Sequence, residues 1–473
     1  MSQIFDIVVI GAGPAGANAA LTAAWAGCRV AMVDEQRKPG GQVWRAKNPV
    51  VLEAPTTPES RSGDALRQEV ACSTVLTFAQ SRVWQIESAA SGWEIYVLKE
   101  GKVVTLVAKA LILATGAREY VQPVPGWTTP GVIGLAGATA MFKQDLALPG
   151  QRTVVSGTGP LVFFVASEIR RLGGEVAAVV TPNSKREWLR AFPAMVRRPD
   201  LLVRGALWVA DLYLAGVPIY WRHAVAEIDG ETDVSGVTIR RLTRDWAPDG
   251  EPEFLGADSL CLGNGLTPAA EAAQLAGLEL RYRADLGGWC PEVDASGETE
   301  REGLFLCGDG AGIRGAAAAE IHGKLTGETA SAYVRGVAPG ENHLLQQAYQ
   351  RAARFGMAMT ALSVPRKGLQ TLMCADTVVC RCESLTRSDI VAEINAGAQS
   401  TLSVKSGLRA GMGPCGGKFC QGTISQLIAQ AKGGEVSDVP PPTARPPLRP
   451  IPVAALAGDF EYDDLPIPKP APL

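Results

Sequence analysis

Four cysteines in the C-terminal quarter of the chain, Cys380, Cys382, Cys415 and Cys420, have the type and spacing to hold a metal centre. The first two stand in VVCRCES and the second two in GMGPCGGKFC, with residues 383–414 between the pairs. Two close thiolate pairs, distant in sequence, make a four-sulfur ligand set, and the surrounding glycines let backbone fold tightly around a buried ion. Thiolates suit either zinc or an iron–sulfur cluster, and spacing alone leaves both open. Cys374 could substitute for one ligand, but Cys380 and Cys382 form the cleaner pair. A second constellation opens the chain: Gly11-Ala12-Gly13-Pro14-Ala15-Gly16, followed by Asp34-Glu35. Its chemistry would be the binding of a dinucleotide pyrophosphate.

The elements that must position this loop read directly. Residues 4–10 form an apolar strand, an alanine-rich helix runs to about Ala26, and residues 29–33 form a second strand ending at the acids. Gly11 permits the tight turn, Gly13 lets the pyrophosphate approach the backbone, and Gly16 allows helix and strand to pack closely. The helix N-terminus, with Pro14 and Ala15 in its first turn, offers free N–H groups to phosphate. Asp34 falls where a carboxylate would accept ribose hydroxyls, which argues against a 2′-phosphate ligand. Two later segments favour FAD over NAD. A strand over 110–114 runs through Ala114 into Thr115-Gly116, and a strand over 303–307 runs into Gly308-Asp309-Gly310. Asp309 is placed to hydrogen-bond a ribityl chain. Together the three motifs resemble the two-dinucleotide-domain flavoprotein reductases, in which a turn like Gly40-Gly41-Gln42-Val43 passes beside the isoalloxazine. Beside a flavin, a [2Fe–2S] cluster is the expected occupant of the four cysteines, with zinc as the structural alternative.

Residues 152–180 echo the N-terminal unit: a strand, Gly157-Thr158-Gly159-Pro160-Leu161-Val162, a helix and a second strand. Here Val162 stands at the third glycine position and the second strand ends at Val180-Thr181-Pro182 without an acid. A degenerate nucleotide pocket is the expectation. No CxxC pair occurs for disulfide reduction, and His223, His322 and His343 lack partners that define an acid–base dyad. No catalytic residue is therefore assigned. His322 is singled out because its helix follows the Gly308-Asp309 turn.

The expected fold is α/β: a flavin domain with an inserted Rossmann-like domain, plus a small helical cysteine module. The boundaries read as 1–145 and 251–340 for the FAD domain, 146–250 for the insertion, 341–373 for a connector, 374–435 for the [2Fe–2S] domain and 436–473 for a proline-rich tail. The tail holds 11 prolines from 440 onward, so it reads as disordered or as an extended arm, with Leu448, Ile451, Phe460, Leu465 and Ile467 as its apolar contacts. A cap at Ser388 is expected for a helix over 388–396. A formal net charge of -3 gives no broad footprint for nucleic acid. Reduced cysteines and the absence of a signal-like N-terminus or a long apolar run suggest the cytosol, with peripheral membrane association through a complex left open.

Over residues 4–430 the runs GAGPAGANAA, GGQVWR, ILATGARE, CLGNGLTPAAE, LCGDGAGIRGA, VVCRCE and GMGPCGGKFC resemble the alpha subunits of bacterial opine oxidases. They are also similar to the related subunits of hydrogen cyanide synthase and hydroxyproline dehydrogenase. The resemblance implies an electron-transfer subunit of a heteromeric amino-acid or opine dehydrogenase. Its partner would be a D-amino-acid-oxidase-like, FAD-containing beta subunit that oxidises a C–N bond. The resemblance also leaves room for a further small subunit, and it implies an external electron acceptor. The implied order runs from substrate through the cluster to this FAD. A stand-alone NAD(P)H-dependent reductase and a non-enzymatic scaffold are the competing classes.

Overall fold

The computed structural model describes residues 3–457 apart from 52, 54 and 91. The first sheet runs in the order 76–78, 30–33, 3–10, 102–113, 92–99, 81–89, and strand 304–306 also pairs with 102–113. Strands 76–78, 30–33, 3–10, 102–113 and 304–306 are parallel, which brings three chain reversals to one edge: after Ile10, after Leu113 and after Leu306. Residues 7–10, 30–33, 110–113 and 304–306, at the centre of these strands, are all buried, as a sheet covered on both faces requires. Helix Pro14–Trp25 covers one face and packs on helix Ala316–Arg335. The contact depends on two glycines: a Cβ on Gly323 would lie 2.1 Å from the Ala15 carbonyl oxygen, and one on Gly327 would lie 2.6 Å from that of Ala19.

A second, all-parallel sheet has the order 219–221, 175–181, 152–157, 259–263, 132–134. An antiparallel sheet of 223–229, 236–241 and 253–256 accompanies it. The second sheet thus takes in strands 132–134 and 259–263, which lie outside the expected 146–250. The chain crosses between the sheets at an antiparallel pair, Ala117–Glu119 against Leu266–Pro268. The crossings depend on pairing between residues about 150 apart, a relation local patterns do not carry.

Helix His343–Ala361 and a 3-10 turn over Lys367–Leu372 lead to the cysteine module. There a two-stranded ribbon, 378–380 with 385–386, and helices Arg387–Asn395, Thr401–Leu408 and Cys420–Ala431 enclose Val379, Ile390, Val404, Ile424 and Ile428. The first of these helices is capped by Thr386, whose hydroxyl accepts from Asp389 N–H; Ser388 lies inside the helix instead. The tail lies as an arm over the described residues to 457. Leu448 N–H donates to Trp84 O (2.9 Å), Arg82 donates to Pro450 O (2.8 Å), and Arg449 pairs with Glu35 (2.8 Å). Phe460, Leu465 and Ile467 lie outside the described residues. Among the described residues no helix is long and apolar enough to cross a membrane.

Candidate functional site: a dinucleotide cradle and a four-thiol module

Two of the three glycines that build the first cradle cannot be replaced without collision. Gly11 adopts φ +105°, and a Cβ there would lie 2.3 Å from the Ala114 carbonyl oxygen; one on Gly16 would lie 1.9 Å from Gly11 O. Gly13 differs, since its Cβ would meet only Gly41 Cα, at 3.9 Å. It is thus the open position of the loop. Helix 14–25 begins at Gly13 with no side-chain cap and no acid in its first turn, leaving its N–H groups and positive end for an anion. Helix 316–335 likewise starts without a cap or an early acid, beside Asp309. These features fit a bound dinucleotide pyrophosphate.

Asp34 ties this loop together. Its Oδ2 accepts from Ala12 N–H and its Oδ1 from Gln36 N–H, both at 2.6 Å. Each oxygen keeps a second lone-pair position for a ribose hydroxyl. Glu35, expected beside it, turns instead to Arg449 of the arm. Gly40 donates to Ala12 O, which fixes the Gly41-Gln42-Val43 turn over the cradle. The Gln42 side chain accepts from the Arg45 guanidinium, and Val43 O accepts from Lys143 Nζ at 2.7 Å. Burial pushes the Lys143 ammonium down to about 8. No sequence motif marks Lys143, because only the tertiary fold brings helix Leu135–Asp145 against the turn. Ala114 N–H donates to Ile10 O, Thr115 Oγ1 donates to Ala269 O (2.7 Å), and Gly116 O accepts from Ala269 N–H (2.9 Å). Asp309 Oδ1 accepts from the N–H groups of Arg314 and Gly315, both at 2.9 Å.

His322 lies directly behind Gly308. Its Nδ1 accepts from Gly308 N–H (3.2 Å), its ring stacks on Tyr349 at 4.8 Å, and its Nε2 has no partner among protein atoms. Burial pushes the imidazole down to about 3, so it is neutral. The unfolded chain then binds one more proton than the fold between pH 6.5 and 3, and this contribution to stability is present above 6.5 and lost as pH falls toward 3. Thermal melts from pH 7 downward should show a shallower loss for His322→Gln than for the wild type. The difference should be up to about 1.4 kcal/mol per pH unit. Parallel curves would contradict a neutral buried His322.

In the C-terminal module the four thiols form two pairs. Cys420 lies beside Cys380, and Cys382 beside Cys415. The Cys420 thiol holds Cys380 down to about 5, against burial, and N–H groups of Gly411, Glu383 and Cys382 also point at that sulfur. Cys380 and Cys420 are buried, Cys415 is half-buried and Cys382 is exposed. A Cβ on Gly413 would lie 2.2 Å from Cys382 Cβ, so the tight approach requires glycine. Among the described residues no three His, Cys, Asp or Glu side chains gather on a single ion position. Paired thiols with backbone N–H groups aimed at sulfur suit a two-iron cluster, in which the ligands divide between two metals. Cys374 is exposed and bonded to Thr377. Of the other single cysteines, Cys28, Cys261, Cys290 and Cys307 are buried and Cys72 is exposed.

The two halves meet around a cavity of about 110 Å³. Arg118–Tyr120 and Leu266–Pro268 of the crossing strands line it, as do Gly417, Lys418 and Gln421 of the cysteine loop. Buried Tyr120 donates to Gln426 (3.1 Å) of the cysteine module, and Lys418 donates to Cys415 O (3.1 Å).

The second nucleotide-like loop is closed by the chain itself. Gly159 N–H donates to the buried Asn183 Oδ1 (3.2 Å), and Asn183 Nδ2 donates to Leu362 O (2.8 Å). Ser363 stands over the loop, its Oγ 2.7 Å from where a Gly159 Cβ would be and its Cβ 2.8 Å from where a Gly265 Cβ would be. Val162 is fully buried against Leu135, Phe142 and Val155. Asn183 and Ser363 carry no signal in the sequence.

Residues 5–323 match the family described as pyridine nucleotide-disulphide oxidoreductase, and residues 378–430 match the BFD-like [2Fe–2S] binding domain. The A subunit of opine oxidase from Rhizobium meliloti is 31% identical, over 97% of this chain and 88% of its own length. Hydrogen cyanide synthase subunit HcnB of Pseudomonas protegens is 33% identical, over 95% of this chain and 96% of its own. The fold is that of L-proline dehydrogenase from P. horikoshii, with a TM-score of 0.73 at 20% identity over 96% of this chain and 80% of that one. Bacillithiol disulfide reductase from Bacillus cereus shares it over 70% of this chain and 99% of its own, with a TM-score of 0.52 at 18% identity. The chain therefore belongs to the pyridine nucleotide-disulphide oxidoreductase family, in the group of the opine oxidase and hydrogen cyanide synthase subunits. It is an oxidoreductase subunit with an FAD-binding domain and a [2Fe–2S]-binding domain.

Proposed function

We propose that the chain is the electron-transfer subunit of a heteromeric dehydrogenase acting on a CH–NH donor. A D-amino-acid-oxidase-like, FAD-containing partner oxidises the C–N bond, and this chain conveys the electrons to an external acceptor. The observation that carries the reading is the shared cavity: crossing strands of the flavin domain and the loop between Cys415 and Cys420 line the same space. When bound, flavin exchanges electrons singly or in pairs and a [2Fe–2S] cluster exchanges them singly, a pairing suited to a relay. On this reading Gly11, Gly13, Gly16 and Asp34 hold the pyrophosphate and ribose, and Asp309 faces the ribityl chain. Cys380, Cys382, Cys415 and Cys420 ligate the irons, with the exposed Cys382 edge facing the partner or acceptor. The names of the opine oxidase and hydrogen cyanide synthase relatives support a multisubunit assembly, since each is named as one subunit of its enzyme.

The test is co-expression with a candidate oxidase-like subunit, followed by assay on opines and amino acids with an artificial acceptor. Activity that needs both chains supports the proposal, whereas substrate oxidation by this chain alone would oppose it. A stand-alone NAD(P)H reductase would need the second loop that Asn183 and Ser363 close. Anaerobic mixing of the flavin-loaded chain with NADH or NADPH should leave the flavin oxidised over minutes. Rapid bleaching by either would favour the reductase reading.

A further inference from the structure

Helices Lys185–Met195 and Pro199–Leu214 lie on the outside of the second sheet, joined by residues 196–198. On its inner side the second helix buries Leu212 and packs Trp208 and Val209 against the domain core. Its outer side is apolar as well. Val203, Ala206, Leu207, Ala210 and Leu214 recur three or four residues apart, forming one exposed stripe. Leu207 is 63% exposed and Leu214 90% exposed, and on the first helix Leu189 is 71% exposed, with Phe192 and Val196 also open. A surface of this kind marks an interaction site.

Charge identifies the occupant. Every carboxylate on the two helices is already engaged: Glu187 with Arg366, Asp200 with Arg198, and Asp211 with Arg170 (3.0 Å). Lys185, Arg186, Arg190 and Arg197 are exposed and, among the described residues, have no carboxylate partner. The segment is thus cationic on a chain whose formal net charge is -3. Exposed leucines flanked by unpaired cations are the composition of a surface that lies in the head-group region of a bilayer.

We propose that this helical pair is a peripheral docking surface for an anionic phospholipid bilayer. The leucines and Phe192 enter the boundary between head groups and acyl chains, and the guanidinium groups meet lipid phosphates. The inference is independent of the electron-transfer reading, because it rests on different residues and is tested without turnover. The test is flotation of the full, cofactor-loaded chain with vesicles of phosphatidylcholine alone, or of phosphatidylcholine and phosphatidylglycerol in equal parts. The chain should float with the anionic vesicles only, and less so at high salt. Leu189→Asp with Leu207→Asp should abolish flotation. Arg190→Ala and Arg197→Ala should each weaken it about fivefold. Flavin absorbance and melting temperature should be unchanged in all variants, since the positions are exposed. Failure to float with anionic vesicles, or equal flotation of the aspartate variant, would overturn the proposal. So would loss of partner-subunit binding in that variant without any vesicle binding by the wild type, which would assign the face to protein assembly.

Discussion

Replacing Cys420 by serine should strip the chain of its cluster while leaving the flavin in place. Natively purified wild type should carry about two irons and two acid-labile sulfides per chain, and Cys420→Ser close to none. Cys420 is buried against Cys380 at the start of helix 420–431, so a hydroxyl there cannot restore the missing thiolate. Electron delivery from substrate to acceptor in the assembled complex should fall on the order of a hundredfold or more, a loss at the upper end for perturbing a metal site. Cys374→Ser supplies the control, because Cys374 is exposed and lies outside the two thiol pairs. It should retain full iron and sulfide. If Cys374→Ser lost the cluster and Cys420→Ser kept it, the ligand set would be wrong. Because ligand binding and folding of such a module are coupled, flavin content is the measure that the rest of the chain remains intact.

The second large effect concerns the cradle. Gly13→Glu should fold, because Gly13 has extended backbone with φ -70° and its Cβ would make only an ordinary contact with Gly41. The new carboxylate would stand at the N-terminus of helix 14–25, where a pyrophosphate is expected. Repulsion of about 4 kcal/mol at 4 Å and intermediate dielectric corresponds to a loss of FAD affinity on the order of a thousandfold. Gly16→Ala should behave differently. Its Cβ would lie 1.9 Å from Gly11 O, so the turn itself must break and stability should fall with flavin content. Measuring FAD dissociation beside the melting temperature separates the two. Undiminished FAD affinity in Gly13→Glu would place the pyrophosphate elsewhere.

What the sequence revealed is what local chemistry dictates. Gly11, Gly13 and Gly16 between a strand and a helix, with Asp34 one strand later, form a unit whose parts lie within about two dozen residues. The four cysteines were legible by type and spacing. Their pairing, Cys380 with Cys420 and Cys382 with Cys415, was not, because it depends on how helix 420–431 folds back on strand 378–380. The same reason hid the crossing strands: residues 117–119 and 266–268 are short and unremarkable until paired. Val162 at the third glycine position of the second loop was visible in the sequence, but the contact of Asn183 with Leu362 was not, because it joins residues some 180 apart. Glu35 looked equivalent to Asp34 because neighbours share a motif. Their side chains diverge, one to the backbone of the loop and the other to Arg449 on the arm.

On the proposed function, electrons released by a partner subunit pass through this chain's own cofactors. The most direct measurement is rapid-freeze EPR of the anaerobic complex, mixed with substrate in the absence of acceptor, for wild type and Cys420→Ser. The signal of a reduced [2Fe–2S] cluster should grow in the wild type at least as fast as turnover, and be absent from the variant. A wild-type complex that turns over at full rate while its cluster stays oxidised would contradict it.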